Sequence, residues 1–124
     1  MNTYLLSFML LTATALGANN VNAEVMHFTQ LPGDITEVVY YYPNGAVMQK
    51  GYTENNLKTG EWITYSLAGK ITARAYYENG KKVGKWKVYD ADGDLAYKIQ
   101  YRNDKKVWAQ QYDQAGNTIA FNYK

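Results

Sequence analysis

A 24-residue repeat is the feature that most constrains the fold of this 124-residue chain. Asparagine recurs at that interval, at Asn55, Asn79 and Asn103, and each is followed three residues later by a lysine. Gly60 reappears as Gly84, and Trp62 reappears as Trp86. A fixed period of this size is typical of a supersecondary unit that has been copied and stacked. The sequence therefore predicts a repeat array rather than a globule built around a pocket.

The segments between turns predict β-strands, because apolar and polar residues alternate with a period of two. One kind of turn carries a glycine, as in residues 42–45, and the other begins with the repeated asparagine. Eight strands are predicted, at residues 35–42, 46–53, 61–66, 70–78, 85–90, 94–102, 108–113 and 117–124. Sequential hairpins with short links form an antiparallel up-and-down meander. The predicted fold class is all-β, a single curled sheet of repeated hairpins with a cross-strand ladder of tryptophans and tyrosines.

The fourth unit departs from the repeat. Trp108 falls where Gly84 would recur, Gln110 replaces the tryptophan, and one residue is missing before Tyr112. Terminal repeats are expected to be atypical because they cap the stack. The alternation still predicts that the last strand continues the face of the strand one repeat earlier, with Leu95, Tyr97, Ile99 and Tyr101 followed by Ile119, Phe121 and Tyr123.

The N-terminal segment is unlike the repeats. Residues 4–18 are mostly apolar, no charged side chain precedes Glu24, and Val21-Asn22-Ala23 fits a signal-peptidase site. The apolar run is shorter than the roughly 20 residues that a spanning helix needs. We therefore expect a signal peptide at 1–23, a lead-in segment at 24–37 and a repeat domain at 38–124, in a protein exported to the periplasm or the cell surface. The alternative is a retained N-terminal anchor helix.

Residues 77–89 resemble the MORN-variant repeat, whose pattern is Tyr-x-Asn-Gly-x-x-x-Gly-x-Trp-x-x-Tyr followed by a glycine turn and a strand. The resemblance covers about residues 38–124 and implies a fold of repeated β-hairpins. Exported bacterial proteins built from this repeat are commonly labelled YwqK-like antitoxins, which implies a protein partner. The Glu-Gly pair found early in many eukaryotic MORN units is absent, so the lipid binding attributed to those units is not implied.

Residues that carry chemistry are few. The chain has no cysteine and one histidine, His27, which argues against thiol catalysis and a zinc site. Residues 90–94 resemble the start of a calcium loop, but Leu95 and Tyr101 stand where an EF-hand needs glycine and glutamate, so a turn is favoured. We expect no catalytic, cofactor or metal site, no enzyme activity and no small-molecule substrate. A net charge of +2 is too small to indicate a nucleic-acid partner.

Two surfaces are candidate binding sites. The first is the polar-aromatic face with Arg74, Tyr76 and Tyr89, since tyrosine and arginine are enriched in interface hot spots, although sheet structure alone would also account for such aromatics. The second is a rim of turn lysines, Lys81, Lys82, Lys105 and Lys106, which would either meet an anionic envelope surface of lipid or glycan or only solubilise the turns. We expect a non-catalytic scaffold that binds another protein through the face or an open strand edge. Binding of an anionic surface through the rim is the alternative.

Overall fold

A computed structural model of the protein describes residues 25–123. These residues form ten β-strands and no helix, so the described part of the chain holds no helix able to cross a membrane. The strands are β1 (Val25–Gln30), β2 (Ile35–Tyr41), β3 (Val47–Glu54), β4 (Leu57–Tyr65), β5 (Ile71–Glu78), β6 (Lys81–Lys82), β7 (Gly84–Tyr89), β8 (Leu95–Arg102), β9 (Lys105–Tyr112) and β10 (Thr118–Tyr123). The predicted signal peptide, residues 1–23, lies outside the described residues.

All ten strands belong to one antiparallel sheet that follows chain order. The order is β1-β2-β3-β4-β5-β7-β8-β9-β10, and the short β6 pairs with β5. Because β1 and β10 are not neighbours, the sheet is open, with those two strands at its edges. The predicted all-β meander of hairpins is confirmed.

Two strands were not predicted. Strand β1 lies in the segment expected as a lead-in, and it pairs with β2 along its whole length, from Val25 opposite Tyr41 to Gln30 opposite Thr36. The repeat does not reach this segment, so the period gave no signal there. The alternation of apolar Met26 and polar His27 was a signal for a strand, and in the structure Met26 is half-buried whereas His27 is exposed. The other addition, β6, is a two-residue strand that directly follows the Asn-Gly turn.

The repeated asparagines begin two-residue hairpin turns. Asn79 and Gly80 both adopt positive φ angles, 49° and 77°, and connect the register pair Glu78 and Lys81. Such a turn matches the right-handed twist of the flanking strands and favours Asn-Gly. Successive turns are also hydrogen-bonded along the rim, since the Gly80 N–H donates to the Lys58 carbonyl at 2.9 Å. The hairpins predicted from the asparagine repeat are therefore confirmed.

The cross-strand registers assign the side chains to two faces of the sheet. We call one the ladder face, because it carries the aromatic series Tyr40, Trp62, Tyr77, Trp86 and Tyr101. The other, which we call the arginine face, contains a row of paired positions that crosses the sheet: His27, Val39, Lys50, Ile63, Arg74, Lys87, Lys98, Gln110 and Phe121.

The core is the ladder itself, since the described residues form a single layer. Trp62 and Val38 are only 1% and 2% exposed. The Trp62 indole lies directly on Gly51, where an added Cβ would come within 2.1 Å of the ring, and its Nε1–H donates to the Tyr52 carbonyl at 3.0 Å. Neighbouring ring centroids along the ladder are 6.5, 6.4, 5.3 and 4.7 Å apart, within the range of favourable aromatic pairs. The predicted aromatic ladder is thus present.

The last unit changes face, and the prediction that Phe121 and Tyr123 continue the face of Ile99 and Tyr101 is wrong. Phe121 pairs with Gln110 and Tyr123 with Trp108, all on the arginine face. Ala109 instead occupies the ladder-face position opposite Ile99.

The physical reason is the length of the bulge before the tryptophan strand. Between the register pairs Tyr77–Lys82 and Arg74–Lys87, the partner of β5 has two extra residues, which preserves the alternation. Between Tyr101–Lys106 and Gln100–Trp108, strand β9 has one extra residue. An odd excess moves every later side chain to the opposite face. The residue that is missing from the repeat therefore transfers the final aromatics to the arginine face.

Candidate functional site

The predicted binding residues Arg74 and Tyr76 share one carboxylate on the arginine face. Arg74 Nη1 lies 2.8 Å from Glu61 Oε1, and the Tyr76 hydroxyl donates to Glu61 Oε2 at 2.6 Å. Strand β4 places Glu61 directly opposite Tyr76 on β5. Burial opposes the charge on Arg74, but the charge and hydrogen bond of Glu61 outweigh it and raise the pKa of the guanidinium. The hydrogen bond to Glu61, aided by burial, also raises the pKa of Tyr76.

The third predicted residue, Tyr89, lies beside Arg74 in an open depression of about 380 Å³. Its other lining residues are Lys70, Ile71 and Gly93. The structure therefore places Arg74, Tyr76 and Tyr89 near one another on the arginine face. Lys70 and Glu61 were not predicted, because only the register between neighbouring strands places them near Arg74. Lys70 and the Tyr89 hydroxyl suit a carboxylate-bearing side chain of a partner, and Arg74, whose charge is already balanced by Glu61, has further N–H donors for it.

A second arginine-face feature is an aromatic cluster of Trp108, Phe121 and Tyr123. The Trp108 and Phe121 rings are stacked with centroids 5.7 Å apart, and Phe121 meets Tyr123 edge-on at 4.8 Å. Phe121 is 44% exposed and Tyr123 is 75% exposed. The sequence analysis predicted Phe121 and Tyr123 on the other face, so it did not predict this cluster.

The four predicted rim lysines lie at the same end of the sheet but alternate between its faces. Lys82 is paired with Tyr77 and Lys106 with Tyr101, on the ladder face. Lys81 pairs with Glu78 and Lys105 with Arg102, on the arginine face. The rim is therefore divided between two surfaces rather than forming one continuous basic patch. An open depression of about 650 Å³, lined by residues 101, 102 and 104–107, lies at the same end.

Two repeat lysines lie over the aromatic ladder. Lys58 Nζ is 4.4 Å from the Trp62 ring centroid and 4.9 Å from that of Tyr77. One repeat later, Lys82 Nζ is 5.3 Å from Trp86 and 5.2 Å from Tyr101. Burial, together with the charge of Lys82, lowers the pKa of Lys58. The shared 24-residue period of lysine and tryptophan was the sequence signal that could have revealed this arrangement.

Residues 25–123 hold no group of three His, Asp or Glu side chains close enough to share a metal ion. In the segment that resembled a calcium loop, Asp90 Oδ1 accepts hydrogen bonds from the backbone N–H groups of Asp92 and Asp94, at 3.0 and 2.9 Å. Asp90 thus closes a turn, as the sequence favoured. His27 contacts Tyr41 near the sheet edge, with ring centroids 5.1 Å apart.

The sequence model of the MORN repeat variant family matches residues 36–55, 58–79 and 82–103, which together are more than half of the chain. The chain belongs to the MORN-variant repeat family. Each of its matched MORN segments contains two long antiparallel strands and ends at or next to one of the repeated asparagines. Strands β1, β9 and β10 lie outside the MORN matches. Comparisons with curated proteins and with solved structures found no match.

Proposed function

We propose that this MORN-variant protein is a non-catalytic binding module that recognises another protein through its arginine face. The observation that carries the proposal is the aromatic cluster of half-buried Trp108 with exposed Phe121 and Tyr123, on the same face as the Arg74 depression. Tryptophan, tyrosine and arginine are the residues enriched in interface hot spots. Exposed aromatic clusters rimmed by polar residues are also typical of interaction sites.

The chemistry of this face selects an acidic partner segment with an apolar end. Arg74, Lys87, Lys98 and Gln110 lie in one register row that leads to Phe121. The row crosses four strand spacings, roughly 19 Å in all. A partner that places a carboxylate at the depression and an apolar side chain at the aromatic cluster would meet complementary groups at both ends. Cationic side chains between these ends would disfavour a basic partner.

The proposal includes export. The apolar N-terminal segment and the small-residue site before Glu24 favour removal of residues 1–23 and delivery to the periplasm or cell surface. An antitoxin-like role, which the resemblance to YwqK-like proteins implies, would require one protein partner that binds in a fixed ratio. The arginine face is the surface that we assign to such a partner.

The test is in-cell crosslinking of the tagged full-length protein, followed by mass spectrometry of the captured proteins and of its own N-terminus. We expect one stoichiometric protein partner and a new N-terminus at Glu24. Replacement of Arg74, Tyr76 and Tyr89 together by alanine should abolish the capture. The matched control is Lys106→Ala, which alters an exposed residue of the ladder face. Capture that persists in the triple variant would contradict the assignment of the arginine face.

Association with an anionic envelope surface through the lysine rim is a second candidate. The favouring observation is that all four rim lysines lie at one end of the sheet, close to the 650 Å³ depression. Reversal of Lys81, Lys82, Lys105 and Lys106 to glutamate should abolish binding to anionic vesicles at low salt. Binding by the wild type should weaken as salt rises, because salt screens exposed charges. Absence of vesicle binding at low salt would rule this candidate out.

A further inference from the structure

Strand β10 is an open edge of the sheet that exposes apolar side chains. It pairs with β9 on one side, and no described strand lies on its other side. Three of the six exposed large hydrophobic side chains among the described residues belong to this strand, namely Ile119, Phe121 and Tyr123. None of its residues is charged. Natural edge strands are usually guarded by charged residues, proline or a bulge, because their free N–H and C=O groups can pair with another strand.

The bulge of β10 guards only the beginning of the strand. The register shift falls between Thr118 and Ala120, whereas residues 120–123 pair with β9 without interruption. These residues leave a regular edge of roughly 14 Å. A segment of this length suits a small, reversible contact rather than a large permanent interface.

We propose that the edge of β10 binds the β10 edge of a second copy of this chain, so that two sheets join antiparallel around a two-fold axis. Residues directly opposite each other in an antiparallel pair lie on the same face, so Phe121 and Tyr123 of both copies stay on the arginine face. The two registers that best overlap residues 120–123 set either Phe121 or Asn122 opposite its own image. In the first register the Phe121 rings meet each other, and in the second Phe121 meets Tyr123. Aromatic cross-strand pairs of this kind are stabilising.

The direction of the strands favours contact of β10 with itself over contact with β1. Seven antiparallel strands separate β1 from β10, so the two edge strands run in the same direction. Pairing of β10 with β1 of another copy would therefore be parallel, which is slightly less stable per residue, and it would build an open chain of copies. Strand β1 also offers less apolar surface, because Met26 and Phe28 are half-buried. The contact between two β10 strands is antiparallel and closes after two copies.

Charge complementarity supports the same orientation. The two glycine turns nearest β10, residues 90–94 and 113–117, carry four carboxylates and no cation. At the opposite end of the sheet, the asparagine turn nearest β10 and its flanks, residues 102–106, carry three cations and one carboxylate. Antiparallel joining brings the acidic end of one copy beside the basic end of the other. The nearest of these groups are two to three strand spacings apart, roughly 12 Å, so their attraction orients the copies and weakens as salt rises.

The second copy completes the aromatic cluster at the edge of the sheet. Because the two-fold axis is perpendicular to the sheet, the arginine faces of both copies point in the same direction. The two clusters of Trp108, Phe121 and Tyr123 then meet at the axis, and the two Arg74 depressions lie on either side of it. The proposed protein-binding face is thereby presented twice in each dimer, although the pairing of the edges does not depend on that binding.

The first test is sedimentation equilibrium of the protein as purified from cells, over a range of concentrations and at low and high salt. We expect a reversible monomer–dimer equilibrium that stops at two copies and weakens as salt rises. A monomer at every concentration would overturn the proposal. Growth beyond the dimer would also overturn it, because it would indicate head-to-tail association.

Introduced cysteines locate the contact, because the chain has no cysteine of its own. Opposite residues of an antiparallel pair have Cβ atoms about 4.5–5.5 Å apart, close to the spacing in a disulfide. Asn122→Cys alone tests the register centred on Asn122, and its mixture with Ala120→Cys tests the register centred on Phe121. We expect a disulfide-linked dimer in one of these samples. The matched control is Thr29→Cys, at an exposed position of β1, and dimers that form as readily through it would refute the assignment to β10.

A charge placed on the edge gives a quantitative test. Tyr123→Lys removes an exposed ring from β10, and two-fold symmetry makes the substitution act twice in each dimer, so the dissociation constant should rise about 2- to 30-fold. Thr29→Lys on β1 should change it by less than about twofold, and an equal effect of both substitutions would refute the proposal. The triple alanine variant of Arg74, Tyr76 and Tyr89 should still dimerise, so loss of partner capture and loss of dimerisation are distinguishable.

Discussion

Gly51→Ala is the substitution that most directly tests the packing of the ladder. Gly51 is buried in β3, and an added Cβ would lie 2.1 Å from Trp62 Cδ2 and 2.4 Å from two further ring atoms. The structure has no free space for the added Cβ next to the indole, because Trp62 is 1% exposed and packs between the rings of Tyr40 and Tyr77. The indole must therefore move, and its hydrogen bond to the Tyr52 carbonyl must lengthen or break.

The magnitude follows from three contributions. Overpacking in a well-packed core typically costs about 1–3 kcal/mol. Loss of the indole hydrogen bond adds about 1 kcal/mol. Replacement of a strand glycine by alanine returns roughly 0.5–1 kcal/mol in backbone entropy. We expect Gly51→Ala to lower the free energy of unfolding by about 1–3.5 kcal/mol, measured by urea denaturation followed by circular dichroism.

The 24-residue repeat supplies the control. Ala75 is the repeat image of Gly51 and already carries a Cβ beside Trp86, the image of Trp62. Ala75→Gly should therefore cost no more than about 1 kcal/mol. In a Trp62→Val background, which removes the clash, Gly51→Ala should become neutral or slightly stabilising. A cost that is the same in both backgrounds would refute the assignment of the effect to the indole.

Three further outcomes are expected. Trp86→Ala should lower the free energy of unfolding by about 2–3 kcal/mol, as measured by urea denaturation. The value is at or below the usual range for a core tryptophan because the Trp86 ring is only half-buried. The substitution also removes the Nε1–H, which donates to two carbonyls at 3.1 Å. Burial raises the pKa of three ladder tyrosines, Tyr40, Tyr77 and Tyr101, above the ordinary 10.0. The unfolded chain loses these protons at lower pH than the folded chain, so stability should fall as the pH rises above 10. Tyr77→Phe should make that fall less steep. The lowered pKa of Lys58 makes a smaller, opposing contribution, because it raises stability with pH. Glu61→Gln should change the free energy of unfolding by less than about 1 kcal/mol, because the Glu61 and Arg74 side chains are 33% and 32% exposed. A larger loss of stability that persists in high salt would contradict this expectation.

The fold could be predicted from the sequence because its determinants are local. The alternation within strands and the Asn-Gly turn at residues 79–80 each specify structure within one hairpin, and the 24-residue period repeats those signals along the chain. A meander then needs no long-range choice of partner, since each strand pairs with the next one. Strand β1 was not predicted for the complementary reason, because it lies outside the repeat and the period gives no signal there.

The candidate sites were only partly predictable, because they depend on register. Arg74, Tyr76 and Tyr89 were identified by residue type, but the carboxylate of Glu61 that joins the first two lies 13 and 15 residues away along the chain. Its approach follows from the pairing of β4 with β5, which a single sequence does not specify to one residue. The division of the rim lysines between two faces is a register effect of the same kind.

The single missing residue of the last unit has the largest consequence for the two surfaces of the sheet. In the earlier units a two-residue excess keeps each tryptophan on the ladder face, where Gly51 leaves room beneath the Trp62 ring. In the last unit the small residue and the large one exchange strands, since Ala109 now lies opposite Ile99. The ladder can end there without a cavity the size of an indole, because the Ile99 side chain takes part of that volume. The displaced aromatics are thereby free to form an exposed cluster on the opposite face. One missing residue thus both ends the core and places an aromatic cluster on the arginine face, beside the cationic row that leads to it.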